Sequence, residues 1–182
     1  MSDLLAQWQA EEAALRARPR PPPGPLPAAL TAHRPGLDVL RDMIAGLLPG
    51  PPISHAMHFL LVHVAPGEAV FQGRPSAEFL NPLGTLHGGW YASLLDSAAG
   101  CAVHTTLQPG RAYTTLEFKM NLVRAIGLGV PLVRSEGRTI HVGRQTATAE
   151  SKLVGPDGKL YAHATTTCLI FDLPTTTPES TP

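Results

Sequence analysis

The chain is 182 residues long, carries no net formal charge at neutral pH, and only 15% of its residues are charged. That length suffices for one domain with a real core plus accessory segments, and the charge balance argues against nucleic acid as a partner. No apolar run approaches the ~20 residues of a membrane-spanning helix, and the two cysteines, Cys101 and Cys168, lie inside apolar segments rather than in a disulfide framework, as expected of a cytoplasmic protein with reduced thiols.

The opening Met1-Ser2-Asp3-Leu4-Leu5 is neither basic nor followed by a signal-peptide core. Leu4, Leu5, Trp8, Ala13 and Leu15 give residues 3–18 a helical pattern, with Ser2 or Asp3 as cap. Residues 19–27 are proline-rich and read as a semi-rigid extended linker. Leu37, Leu40, Ile44 and Leu47/Leu48 predict a second helix over 37–48, ended by Pro49-Gly50-Pro51-Pro52. Residues 1–52 thus form a helical extension, 53–172 a compact domain, and 173–182 a Thr/Pro-rich tail expected to be disordered.

Within the domain, strands are expected near 57–65 and 68–75, joined by the turn Ala65-Pro66-Gly67. A helix follows from about His87 to Leu107, closed by Pro109-Gly110. Strand-like runs then cover 112–123, 131–141, 145–154 and 159–171, the last two joined through Gly155-Pro156-Asp157-Gly158. One long helix, apolar on most sides, among several long strands implies an α+β fold with an antiparallel sheet wrapped on a central helix. His55, His58 and His63 suggest a metal cluster at first sight. Strand alternation would put His55 and His63 on one face and His58 on the other, so no shared metal is expected.

The chemistry concentrates in Asn81-Pro82-Leu83-Gly84-Thr85-Leu86-His87-Gly88-Gly89 and the helix after it, which carries one carboxylate, Asp96, amid apolar neighbours. Burying a lone acid is costly unless it is paired or used. Backbone N–H groups of a glycine pair at a helix start are well placed to hold a developing negative charge. The two features read together as an acyl-transfer site. Eight residues of helix separate Gly88 from Asp96, roughly 12 Å. One acyl carbon cannot comfortably touch both, so Gly88 of one chain is expected to face Asp96 of another across a dimer interface. Ser93, Ser97 and Gly100 are small enough to let a partner or a substrate approach that helix.

The arrangement Asn81…Gly84-Thr85-Leu86-His87-Gly88-Gly89…Leu95-Asp96-Ser97-Ala98 resembles hotdog-fold thioesterases of the PaaI type, within the 4-hydroxybenzoyl-CoA thioesterase-like superfamily. Tyr113-Thr114-Thr115-Leu116-Glu117-Phe118 and Gly158-Lys159-Leu160-Tyr161-Ala162 fit the same pattern. The resemblance spans residues 53–171 and implies a long helix held in a curved antiparallel sheet. It also implies hydrolysis of acyl-CoA, with coenzyme A as part of the substrate and no metal or redox cofactor, in homodimers or homotetramers.

By that resemblance, Asp96 is the catalytic general base or nucleophile, and the Gly88 N–H polarises the thioester carbonyl. His87 orients the loop or assists the carbonyl, Asn81 positions water or the thioester, and Thr115 sits near the carboxylate. The stretch Val123-Arg124-Ala125-Ile126-Gly127 departs from relatives, which often carry proline there. Between Arg111 and Lys152 the chain has seven basic residues against three acidic ones. Arg124, Lys119 and Arg138 are the candidates for coenzyme A phosphates. Leu83, Phe79, Trp90, Tyr91 and Met57 are candidates to line an acyl pocket. Two other readings stay open: an acyl-thioester hydratase or dehydratase on the same fold, and a non-catalytic acyl-CoA-binding protein.

Overall fold

A computed structural model describes residues 3–27, 30 and 32–173. Helices α1 (Asp3–Arg16), α2 (Gly36–Ala45) and the short α3 (Pro52–Ala56) precede strands β1 (Phe59–Ala65) and β2 (Glu68–Gly73). A single 3-10 turn (Ala77–Phe79) leads to the long α4 (Gly88–His104), and β3 (Arg111–Leu122), β4 (Val133–Val142), β5 (Thr146–Val154) and β6 (Leu160–Asp172) complete the chain. The six strands form one sheet in the order β1-β2-β4-β5-β6-β3, antiparallel at every pairing. No described helix is long and apolar enough to cross a membrane.

Helix α4 is the organising element. Trp90, Tyr91, Leu94, Leu95, Ala98, Ala99, Ala102 and Val103 are all buried. They pack on the inward row of each strand, including Phe71, Val133, Ala149, Leu153, Ala162 and Ala164. The inward residues of the central strands are mostly small, which draws the helix close to the sheet. Gly137 marks the closest approach, since a Cβ there would stand 2.1 Å from the Ala98 carbonyl oxygen. The helix is shorter than expected, stopping at His104. Thr105 and Thr106 cap its end by donating their hydroxyls to the Ala102 and Val103 carbonyls.

The extension straddles the β1 edge. Helix α1 lies on the outer face of the sheet, where Leu5 and Trp8 cover Leu132 and Val154. Arg134 stacks over the Trp8 ring at 4.5 Å. The proline linker then crosses the edge, and Leu40 of α2 packs on the inner side with Val64, Ala69 and Ala102. One sheet edge is therefore clamped, as exposed strand edges commonly are. The other edge, the twelve-residue β3, pairs only with β6 and is covered by no described element.

The strand reading of 57–65 is corrected at its start. His55 lies in α3, Met57 caps it, and His58 takes a positive φ of 54° before β1 begins. Strand alternation therefore does not relate His55 to His63. The pair Pro51-Pro52 nucleates a short helix here, with proline at its first position. The Thr/Pro tail from residue 174 onward and the cap at Ser2 lie outside the described residues.

Candidate active site

The loop before α4 is built around Asn81. Its Oδ1 accepts from the backbone N–H groups of Leu83 (2.9 Å) and Thr85 (3.2 Å), and its Nδ2 donates to Thr85 Oγ1 at 2.9 Å. A backbone bond from Asn81 N to Thr85 O (2.7 Å) closes the loop, with Gly84 at φ 78° allowing the turn. Asn81 thus spends both lone-pair directions and one amide proton on the loop itself. Leu86 N donates to Ile126 O, and His87 N to Phe79 O, which fixes the entry into α4.

His87 is the N-cap of α4. Its Nδ1 accepts from Gly89 N at 3.0 Å, so the neutral ring carries its proton on Nε2. The ring is exposed, which leaves that Nε2–H facing outward. Gly88 N, the first N–H of the helix, has no acceptor among the described residues. A Cβ at position 88 would meet only Leu122 Cδ1, at an ordinary 3.6 Å. Nothing in the chain itself therefore requires glycine there, and the free N–H stands at the positive end of the α4 dipole.

Asp96 lies two turns further along, half-buried, on the flank of α4 that faces β3. Thr115 Oγ1 donates to Asp96 Oδ1 at 3.1 Å. A bulge between Thr115 and Glu117 follows immediately, turning Leu116 outward to 59% exposure. Thr115 is thereby held inward beside Cys168, its cross-strand partner. Nearby, Tyr113 Oη packs where a Cβ at Gly100 would stand, at 2.6 Å. Burial, reinforced by the Cys101 and Cys168 thiols and the Asp96 charge, drives the Tyr113 phenol well above its usual range. Burial likewise pushes the Cys101 thiol up to about 12, with the Asp96 charge adding to it. Both cysteines are free, neutral packing groups, not nucleophiles.

The structure brings Asp96 and Thr115 together within one chain, and His87, Gly88 and Asn81 together at the helix start. The two groups meet α4 at points about two turns apart and do not converge. The three cations separate likewise. Tyr91 Oη donates to Arg124 O (3.2 Å) and accepts from Ile126 N (2.7 Å), tying Arg124 to the Gly88 end of α4. Arg138 and Lys119 share a cross-strand row on the outer face with Glu68, Glu150 and Thr165. There Arg138 is flanked by two glutamates. Of the expected pocket residues, Trp90 and Tyr91 are fully packed, with Trp90 Nε1 bonded to Met57 O and Phe79 stacked on its ring. Leu83 is 89% exposed on the loop. Sequence reasoning did not single out the Tyr91 hydroxyl as a loop anchor; a tyrosine one turn into a buried helix, facing a loop with no proline, was the available signal.

A curved antiparallel sheet wrapped on one long helix is the hotdog architecture, and the comparisons with known proteins place the chain among thioester hydrolases. The chain belongs to the thioesterase superfamily, whose sequence model matches residues 83–162. It is 30% identical over 100 residues to 1,4-dihydroxy-2-naphthoyl-CoA hydrolase of Listeria monocytogenes serotype 1/2a (strain 10403S), covering 55% of this chain and 80% of that one. Among solved structures, a variant of the phenylacetic acid degradation protein PaaI from Thermus thermophilus is 34% identical, with a TM-score of 0.60 over 65% of this chain and 97% of that one. A phenylacetic acid degradation-related protein from Ralstonia eutropha JMP134 is 28% identical, with a TM-score of 0.65 over 71% and 98% of the two chains. The family model's match begins at residue 83, beyond the N-terminal extension.

Proposed function

We propose that the protein hydrolyses acyl-CoA thioesters at sites shared between two copies of the chain. The observation that carries this reading is the division of the site along α4: the free Gly88 N–H stands at one end of the helix and the Thr115-bonded Asp96 two turns away. The uncovered β3 edge, with Leu116, Leu122 and Val123 more than half exposed beside it, supports association through that side. The hydrolase relative acts on a coenzyme A thioester, which supports the substrate class.

In this reading the thioester carbonyl oxygen accepts a hydrogen bond from Gly88 N–H, and the α4 dipole stabilises its developing charge. Asp96 of the partner subunit takes a proton from water as the water oxygen bonds to the carbonyl carbon. The tetrahedral intermediate collapses with loss of the coenzyme A thiolate, which recovers the proton, and the free acid departs. Thr115 holds the carboxylate by its hydrogen bond. His87 keeps the helix start open by capping Gly89 rather than Gly88. Asn81 holds the loop, and Arg124 is the cation placed to meet a coenzyme A phosphate at that end; Lys119 and Arg138 serve as outer-face contacts if the nucleotide reaches them.

The test uses two variants. Gly88→Pro removes that single N–H while suiting the first helical position and the extended His87 before it (φ −64°, ψ 139°). Asp96→Asn removes the base. Each alone should be inactive. Co-expressed as mixed dimers, they rebuild one intact site per dimer and activity should return. No recovery in a verified mixed dimer would rule out the shared site.

A further inference from the structure

The extension does more than cover an edge. Between the linker, α2, α3 and the β1–β2 pair it encloses a cavity of about 660 Å³, within the ~300–1,000 Å³ typical of small-molecule sites. Its depth is apolar: Leu40, Phe59 and Phe71 are buried there, and Cys101 of α4 forms part of the floor. The roof is Pro21-Pro22-Pro23, held between two ties, Arg18 Nη1 to Ile44 O (3.0 Å) and Gly24 N to Gly50 O (3.1 Å). Such a roof is preorganised, so little ordering is left for a ligand to impose.

The described lining of this cavity includes Arg16, Arg20, His55 and His58 and no carboxylate. Of these basic groups, Arg16 pairs with Glu12 (2.7 Å) and His58 Nδ1 lies 3.3 Å from Glu78, which leaves Arg20 as the arginine without a carboxylate among the described residues. The Arg20 side chain donates to Leu15 O. Both arginines are exposed, which places them at the solvent end.

We infer that this chamber is a second ligand site, for a hydrophobic monocarboxylate, with the tail in the apolar depth and the carboxylate at Arg20, beside the Glu12-paired Arg16. It is distinct from the catalytic groups. Cys101 lies five residues beyond Asp96, about 140° around the helix, where it packs against the cluster of Leu40, Val64 and Ala102. A hydrophobic acid is also the chemical class that a thioester hydrolase releases, so the site can hold a product after it leaves the catalytic groups.

The probe is decanoate, titrated calorimetrically into the full-length protein, with decan-1-ol as the uncharged comparison. The site requires saturable binding at one decanoate per chain. Arg20→Gln should weaken decanoate about tenfold, as loss of a charge-assisted bond does, and leave decan-1-ol unchanged. Met43→Trp, which fills the chamber from α2, should abolish binding while hydrolysis of a short acyl-CoA persists as the control for folding. Asp96→Asn, although inactive, should bind decanoate as the wild type does, which separates this site from the catalytic reading. The inference is overturned if wild-type protein shows no saturable binding, if binding survives Met43→Trp with equal affinity, or if Asp96→Asn rather than Arg20→Gln removes it.

Discussion

One of the ties that hold α1 to the sheet is a buried carboxylate, and replacing Glu12 by alanine measures what it contributes. Glu12 is 3% exposed and accepts from Arg16 Nε (2.7 Å), Gln72 Nε2 (2.9 Å) and Arg74 Nη2 (3.1 Å). Breaking a fully buried ion pair costs about 3–5 kcal/mol, but that figure does not apply. The Arg16 and Arg74 side chains are 53% and 50% exposed, so water replaces the lost acceptor for both. Gln72 is different: it is 0% exposed, and its Nε2 keeps only a 3.3 Å contact to Trp8 O. One buried donor is left short, at about 1–3 kcal/mol, and the lost methylene adds about 0.8 kcal/mol. Alanine's better helix propensity returns a few tenths. The expected loss is about 2–3 kcal/mol, measured by urea unfolding. Trp8, packed under Arg134, should report release of α1 in its fluorescence before the core, which holds Trp90, unfolds. Turnover should be unchanged, because α1 lies on the outer face. Burial raises the Glu12 pKa, but bonds from Arg16 and Gln72 and the charges of Arg16 and Arg74 outweigh it, and the net shift is downward from 4.5. Its contribution is therefore complete above about pH 4.5 and lost as pH falls through the lower folded value. The gap between wild type and variant should narrow below that pH. A variant within 0.5 kcal/mol of wild type at pH 7, where 0.5 is about the noise of surface substitutions, would refute the reasoning.

Asp96→Asn should lower kcat about 10²- to 10⁴-fold, the usual range for losing a general base, with a thermal midpoint near that of the wild type; calorimetry beside steady-state assays checks both. Thr115→Val removes the bond to Asp96 but keeps a β-branched strand residue, and should reduce kcat far less than Asp96→Asn while leaving KM nearly unchanged. Gly88→Pro should preserve the circular-dichroism helix signal and the melting temperature while abolishing turnover; retained activity would exclude the Gly88 N–H as the carbonyl donor. Burial lowers the His104 pKa below its ordinary 6.5. The unfolded chain then binds that proton more readily, so stability falls as pH drops below about 6.5. His104→Gln should flatten the unfolding free energy between pH 7 and 5.5.

The long strands and the central helix were legible because each carries an uninterrupted pattern. Residues 146–154 and 160–172 alternate over many positions, and α4 has too few polar residues to sit anywhere but inside the sheet. Where the pattern is short, chain chemistry misled. Residues 57–58 read as the start of a strand, and the histidine alternation carries that reading back to His55. Pro51 as N-cap and Pro52 at the first position instead favour a short helix, which Met57 caps before His58 turns at positive φ. The bulges at Leu116, Leu61–His63 and Thr139–His141 were equally invisible, since an extra residue breaks alternation without a marker of its own.

The extension shows why its place was harder to read than its secondary structure. Helical spacing predicted α1 and α2, but each helix needs a surface to cover, and the surfaces are spread along the chain. Gln72 and Arg134 stand on outer-face rows of β2 and β4, sixty or more residues from the Glu12 and Glu11 that bind them. A polar residue on an outer strand row normally meets water, so nothing local marks these two as buried partners. The active-site motif is the opposite case. Gly88 and Asp96 lie on one helix, so their separation follows from helix geometry alone, and an eight-residue interval already implies that one chain does not bring them together.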